Sequence, residues 1–308
     1  MRSEIRLDEI HDRAVIIAPG RSQRPHDFHR EAVAEPTLKA SCVFCPENLR
    51  GVKSLTRVGS ARHWRVNVIR NIFPVVSPKN PKAYGYQEVV VDTPEHNVEM
   101  SELPVSHVAD ILGVYGTRSR ALMKDPKIGY ILIFKNRGGR AGASIAHSHS
   151  QIFASEFIPP HINSKLVRAQ AYRITHGISY YQHLIQLERG GPRWITETKD
   201  FVAFTPYASS YNYEAWIMPK RQIDNIALLG RAERMQMARL LQRLLARVST
   251  LELPYNLYLH QNVRDRREHL YLRMAPRRDV WAGLELGSRL IVNTIAPEAA
   301  AKFYRTRS

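Results

Sequence analysis

The segment from Tyr130 to Ala154 constrains this chain more than any other. Tyr130-Ile131-Leu132-Ile133-Phe134-Lys135-Asn136 reads as a buried strand, and Arg137-Gly138-Gly139-Arg140-Ala141-Gly142-Ala143-Ser144 as a glycine-rich connection. Ala146-His147-Ser148-His149-Ser150-Gln151-Ile152-Phe153-Ala154 is a second strand, so the pair closes a hairpin with a polar, backbone-exposing tip. Alternation on a strand puts His147, His149 and Gln151 on one face, about 6.5–7 Å between successive members. Glycines in the tip, Gly142 among them, let main-chain N–H groups approach an anion, and Ser144 and Gln151 add side-chain donors. The tip therefore suits phosphate oxygens. A neutral imidazole beside a phosphate site suggests phosphorus chemistry, one ring nitrogen attacking while a hydrogen bond holds the other. Two alternate histidines alone carry little weight; the glycine-rich connection is what gives them meaning.

The rest of the chain is organised as two similar halves. Ala14 to Pro19 reads as a strand, followed by a loop bearing Arg21 and Arg24. Trp64 to Pro74 gives a strand ending in Asn71, and Gly85 to His96 a strand ending at a histidine. A helix fits Val105 to Met123, with Val108, Ile111, Leu112, Tyr115 and Leu122 at helical spacing. After the hairpin, Pro160 to Gly190 is helical and amphipathic and reads as a connector. Strands at 201–206 and 213–221, a helix over 231–251, and strands at 255–262 and 268–276 then repeat the first order. In that overlay His269 stands where the first copy has His147, Tyr271 where it has His149, and Arg273 where it has Gln151. Catalysis is expected from the first copy.

Composition limits the classes of function. With 308 residues, 44% of them hydrophobic, the chain can bury a large core, and disorder is excluded. No run approaches the ~18 apolar residues that span a bilayer, and Met1 to Arg6 has no signal-type stretch, so the expectation is a cytoplasmic protein with no membrane partner. A net charge of +17 favours anionic partners without choosing among them, and its spread along the chain makes nucleic acid a minor reading. The two cysteines, Cys42 and Cys45, have a spacing that suits metal ligation better than a disulfide, although a lone Cys-x-x-Cys is also a redox pair. Two more ligands are needed for a zinc site; His96 is a candidate third.

Cys42-x-x-Cys45-Pro46, Asn71-Ile72-Phe73-Pro74, Thr93-Pro94-Glu95-His96, Phe134-x-Asn136-x-Gly138, Gly142-Ala143-Ser144 and His147-Ser148-His149-Ser150-Gln151 occur in that order. As a set they resemble the galactose-1-phosphate uridylyltransferase family of the histidine-triad superfamily, from Arg21 and Arg24 to Glu285. The resemblance implies an α+β fold of tandem duplicated histidine-triad-like halves, with antiparallel sheets and packed helices. The expected division is 1–160 for the half with the zinc site and nucleophile, 161–198 for a helical connector, and 199–308 for the degenerate half. The resemblance further implies a homodimer in which Arg21 and Arg24 reach phosphates of the neighbouring subunit's site. Cys42, Cys45, His96 and His147 would bind a structural Zn2+, and His149 would be the nucleophile. Asn71 and Asn136 would contact the nucleotide, Ser144 and Gln151 the phosphates, and Glu285 the sugar.

The function so implied is transfer of UMP from a UDP-hexose to a hexose-1-phosphate through a nucleotidyl-histidine; the partners are a nucleotide sugar and a sugar phosphate. Gln151 supports transfer on its own chemistry. A primary amide donates to a phosphoryl oxygen but exchanges no proton near neutral pH, which favours an already ionised phosphate over water as acceptor. The family's Pro and Gly around the nucleophile are Ser148 and Ser150 here, Leu284 replaces an aromatic beside Glu285, and Leu290-Ile291-Val292 stands where a glutamine is expected. Tyr271 takes the place of a histidine of the second metal site found in some members, so no second metal is expected. The same fold also serves an adenylyl branch, ADP-glucose phosphorylase or dinucleoside polyphosphate phosphorylase. A reading of another class is a nucleic-acid-processing or nucleic-acid-binding protein.

Overall fold

The computed structural model describes residues 2–23, 38–263 and 268–306, and it follows the strand and helix order read from the sequence. The first half runs β3 (Ser54–Gly59), β4 (Trp64–Arg70), β5 (Gly85–Val91), α1 (Val105–Leu122), β6 (Tyr130–Arg137) and β7 (His149–Ser155). The second repeats it as β8 (Trp194–Glu197), β9 (Phe201–Phe204), β10 (Ala215–Pro219), α4 (Arg231–Ser249), β11 (Tyr255–His260) and β12 (Tyr271–Pro276). Between the halves lie α2 (Pro160–His176) and α3 (Tyr180–Glu188). At the N-terminus are β1 (Glu4–Asp8) and β2 (Arg13–Ile17); α5 (Gly283–Ser288), β13 (Ile291–Asn293) and α6 (Pro297–Arg305) follow the second half.

All ten strands of the two halves join one antiparallel sheet in the order β3-β4-β5-β7-β6-β11-β12-β10-β9-β8. The order reads alike from either edge toward the β6–β11 seam, where Asn136 pairs with Asn256 and Phe134 with Tyr258. The duplication is thus a topological fact. Phe134 faces Gln151 in the first half and Tyr258 faces Arg273 in the second, so Gln151 and Arg273 occupy equivalent places.

Burial on the two sheet faces is unequal, and the second face is covered differently in the two halves. On the helix side, Val66, Val68, Val90, Ile131, Ile133 and Ile152 pack with Ile111 and Leu112 of α1 and Leu241, Leu244 and Leu245 of α4 in one core that spans both halves. Each such side chain contributes roughly 1.5–3 kcal/mol when fully buried. The helical spacing read from the sequence is the spacing of this buried stripe. On the other side, α3 covers the second half, and Tyr181 and Leu184 pack with Phe204, Trp216 and Tyr271. The corresponding face of the first half instead carries His149 and Gln151.

Three differences from the sequence reading have local causes. The helical stretch from Pro160 to Gly190 is two helices, because Gly177 adopts φ +69° and its N–H returns to the Arg173 carbonyl at 2.9 Å. Trp194–Glu197 and its first-half counterpart β3 are edge strands that pair with β9 and β4, and they, like the short helices α5 and α6, were not read from the sequence. A three-stranded sheet of β1, β2 and β13 was legible only at β2, since Ile5 and Leu7 of β1 are exposed and give no burial pattern. Among the described residues no helix is long and apolar enough to cross a membrane.

Candidate active site and metal centre

Cys42, Cys45, His96 and His147 converge, with one ligand atom from each lying within 4.8 Å of all the others. Cys42 Sγ is 3.4 Å from His147 Nδ1, Cys45 Sγ is 3.4 Å from His96 Nδ1, and Cys45 Sγ is 3.7 Å from His147 Nδ1. These separations match the edges of a tetrahedron around an ion bonded at about 2.0–2.3 Å to nitrogen and sulfur. His147 Nε2–H donates to the Thr93 carbonyl at 2.8 Å, fixing the tautomer that aims the Nδ1 lone pair at the sulfurs. Cys45 is fully buried, and burial together with the neighbouring Cys42 pushes its thiol up to about 11. A cation at the centre reverses that balance and takes the thiolates. The donor set fits a closed metal site.

This centre is coupled to the next residue pair on the chain. β7 begins at His149, with His147 just ahead of it, turned to the cysteines. His149 Nδ1–H donates to the His147 carbonyl at 2.8 Å, which leaves Nε2 as the ring nitrogen carrying a free lone pair. Phe44, between the two cysteines, lies against the His149 ring at 5.0 Å between centroids. Burial lowers the His149 pKa and the Lys135 ammonium lowers it further, so the imidazole is neutral at neutral pH. The result is a fixed, unprotonated imidazole with one uncommitted ring nitrogen.

Behind His149, on the helix side of the sheet, lies a buried polar network. Lys135 Nζ donates to Ser148 Oγ at 2.8 Å, to Asp92 Oδ2 at 3.1 Å and to the His149 carbonyl at 3.3 Å, and pairs with Glu99 at 3.4 Å. Burial opposes its charge, but Glu99 and Asp92 outweigh that and raise its pKa. Ser148 and Ser150 both donate to Asp92, and Tyr115 of α1 donates to Ser150 at 2.6 Å. Of the serines flanking His149, Ser150 ties the strand to α1 and Ser148 ties it to Asp92 and Lys135.

On the open side, Gln151 shares a face with His149, and its Oε1 accepts from Gln87 Nε2 at 2.9 Å. Gly138 and Gly142 bound the tip loop with φ +83° and +84°, values that glycine adopts without strain. Ser144 is exposed. Asn136 Oδ1 accepts from Asn256 at 2.8 Å, and the same Asn256 amide donates to the Ala141 carbonyl at 2.7 Å, so a second-half residue ties the tip down. Asn136 and Gly142 line a groove with Phe134, Asn256, Tyr258 and Arg277. Asn71 lines a separate cavity with Arg70, Ile72, Pro74, Tyr86 and Gln87.

Two expected residues are remote from this cluster in their bonding. Glu285 lies on α5, where its carboxylate accepts from the Ala282 N–H at 2.9 Å. Arg21 is exposed in a turn after β2; Arg24 lies outside the described residues. Phe44, Gln87, Asp92, Lys135 and Asn256 were not anticipated. For Gln87, Asp92, Lys135 and Asn256 the signal is strand register, which appears only once β5, β6, β7 and β11 are paired, and for Phe44 it is a place in the turn between Cys42 and Cys45.

Residues 1–159 match the family model described as galactose-1-phosphate uridyl transferase, N-terminal domain. The ADP-glucose phosphorylase of Arabidopsis thaliana is 29% identical over 98% of this chain and 92% of its own. The galactose-1-phosphate uridylyltransferase of Thermotoga maritima is 27% identical over 98% of both. Among solved structures, an Arabidopsis thaliana ADP-glucose phosphorylase with bound ADP-glucose superposes over 100% of both chains with a TM-score of 0.89 at 28% identity.

Proposed function

The chain belongs to the galactose-1-phosphate uridyl transferase family and is a nucleotidyltransferase, and on that premise we propose that it moves a nucleoside monophosphate between sugar phosphates through His149. His149 Nε2 attacks the α-phosphorus of a nucleotide sugar, the bond to the bridging oxygen breaks, and the sugar phosphate leaves with the electron pair. A phosphate oxygen of the incoming sugar phosphate then attacks the same phosphorus, the new O–P bond forms as the N–P bond breaks, and His149 Nε2 leaves with the electron pair. The observation that carries this reading is the 2.8 Å bond from His149 Nδ1 to the His147 carbonyl, which commits one nitrogen and frees the other.

Cys42, Cys45, His96 and His147 hold Zn2+ in this reading, a two-thiolate, two-imidazole set that leaves no open coordination position. The ion's contribution is structural: its ligand His147 presents the carbonyl that orients His149. Asn71 and Asn136 contact the nucleotide, Gly142, Ser144 and Gln151 the phosphates, and Glu285 the sugar. Residues 1–160 carry the chemistry, 161–198 connect and end in β8, the first strand of the second copy, and 199–308 form the rest of that degenerate copy. The active form is a homodimer in which Arg21 and Arg24 serve the neighbouring site. Its free cysteines suit the reducing cytoplasm.

The first reading of the substrates is UMP transfer from a UDP-hexose to a hexose-1-phosphate. A second, with an ADP-sugar as donor, is favoured by the full-length similarity to the Arabidopsis thaliana ADP-glucose phosphorylase. Isotope exchange separates them. Labelled glucose-1-phosphate should enter UDP-glucose on the first reading and ADP-glucose on the second. His149→Ala should slow either exchange by at least about a thousandfold, the scale lost when a covalent nucleophile is removed. Exchange near the wild-type rate in that variant places the nucleophile elsewhere.

A further inference from the structure

We propose that Gln87 is a positioning residue that fixes the orientation of the Gln151 amide and ties it to the loop from Asn71 to Val75. The inference rests on the reading of Gln151 as a donor to phosphoryl oxygen. A glutamine amide presents oxygen on one side and N–H2 on the other, and its terminal torsion is broad and roughly two-fold. Left alone, Gln151 offers the phosphate either its donor or its acceptor. Only the donor face is productive, because the acceptor face sets a carbonyl dipole against anionic oxygens.

The choice is made by a group that cannot turn over. The Val75 N–H is a backbone donor, and at 2.9 Å it meets Gln87 Oε1. That bond sends Gln87 Nε2 to the other side, where at 2.9 Å it donates to Gln151 Oε1. Gln151 thus has its oxygen committed to β5 and turns its own Nε2 outward on the face it shares with His149. The loop is bound to the same residue a second time, since the Asn71 N–H donates to the Gln87 carbonyl at 3.0 Å, and Asn71 Oδ1 accepts from the Phe73 N–H at 2.8 Å. Ile72, Phe73 and Val75 project from this loop 78%, 84% and 71% exposed, beside the cavity that Asn71 and Gln87 share. A displacement of the Val75 N–H therefore reaches the phosphate donor through two amides.

Gln87→Glu is the discriminating variant. It keeps an oxygen for the Val75 N–H and nearly the same shape, but it has no N–H for Gln151, whose amide must turn to donate and so shows its oxygen to the phosphate. The readout is the single-turnover rate at which His149 is nucleotidylated by UDP-glucose and by ADP-glucose. We expect at least about a tenfold loss in Gln87→Glu and a smaller one in Gln87→Leu, which only frees the Gln151 amide to rotate. Because the new carboxylate also repels phosphate, the comparison is repeated on Gln151→Ala. Positioning predicts less than about a twofold further loss there, whereas simple repulsion persists in full. Equal losses in both backgrounds, or a Gln87→Glu rate within twofold of wild type, overturn the proposal. If Gln151→Ala alone leaves the rate unchanged, the role given to Gln151 has failed instead. If wild type accepts no nucleotidyl group from either donor, that functional reading fails, and calorimetric affinities for UMP and AMP in the same four variants judge Gln87: non-additive losses sustain it and additive ones reject it.

Discussion

His149 meets the Cys42-Val43-Phe44-Cys45 turn through the Phe44 ring and is held at Nδ1 by the carbonyl of His147, whose own ring faces the two cysteines. Removing one ligand should therefore loosen the site before it alters the reaction. Cys42→Ser is expected to lower zinc stoichiometry clearly below one per chain. It should also cost about 3 kcal/mol or more, a Tm lower by at least about 5 °C, with the surviving enzyme reacting through the same histidine. Unchanged metal content, measured by elemental analysis, would remove Cys42 from the site. Of the four candidate ligands, Cys42, Cys45 and His96 were legible as residues, and His147 entered only through the family resemblance, since its place beside His149 on a strand pointed first to phosphorus chemistry. Gln87 and Asn256 were not, since their partners Gln151 and Asn136 lie 64 and 120 residues away and amides are common in any strand.

At the level of elements, β7 and β12 are equivalent strands with opposite surroundings. On β7, His149 is 7% exposed under Phe44 and Gln151 is half-buried, with no helix over them among the described residues, whereas Tyr271 of β12 is 1% exposed, stacked on Trp216 and His260 at 4.5 Å and packed against Tyr181 of α3 at 5.6 Å. The sequence showed the substitutions at 269, 271 and 273 and a helical connector, but not that Tyr181 of that connector packs on His269 and Tyr271, because packing between distant elements leaves no period in the chain. Just ahead of β12, His269 is 1% exposed and donates to the Pro219 carbonyl at 2.7 Å; burial drops its pKa to about 4. The unfolded chain protonates this histidine near 6.5, so between about 6.5 and 4 the unfolded state binds more protons and stability falls with pH. Above 6.5 the contribution is complete, and it amounts to about 3 kcal/mol. His269→Gln, which retains an N–H for Pro219, should flatten the decline in Tm between pH 6.5 and 4 relative to wild type. A parallel decline in both proteins would show that His269 does not control it.

For the whole molecule, the ten-stranded sheet joins both halves into one core, while Arg21 and Glu285 make their recorded contacts away from His149. A homodimer would reconcile the place of Arg21 with the role proposed for it. If Arg21 serves the neighbouring site, Arg21→Ala and His149→Ala should each be weak alone. Mixed and allowed to exchange subunits, they should recover activity, because one site of the mixed dimer then has both residues. No recovery in verified mixed dimers places Arg21 outside the neighbouring site. The net charge of +17 is a property at this scale too, and it names no partner by itself. The central claim is covalent transfer through one histidine, and intact-protein mass spectrometry tests it most directly. After brief incubation with UDP-glucose or ADP-glucose, wild type should gain one nucleoside monophosphate, UMP or AMP, acid-labile and mapping to His149, with none on His149→Ala. An adduct of the same size on the His149→Ala protein, or turnover of either donor by wild type with no adduct at any time, would contradict it.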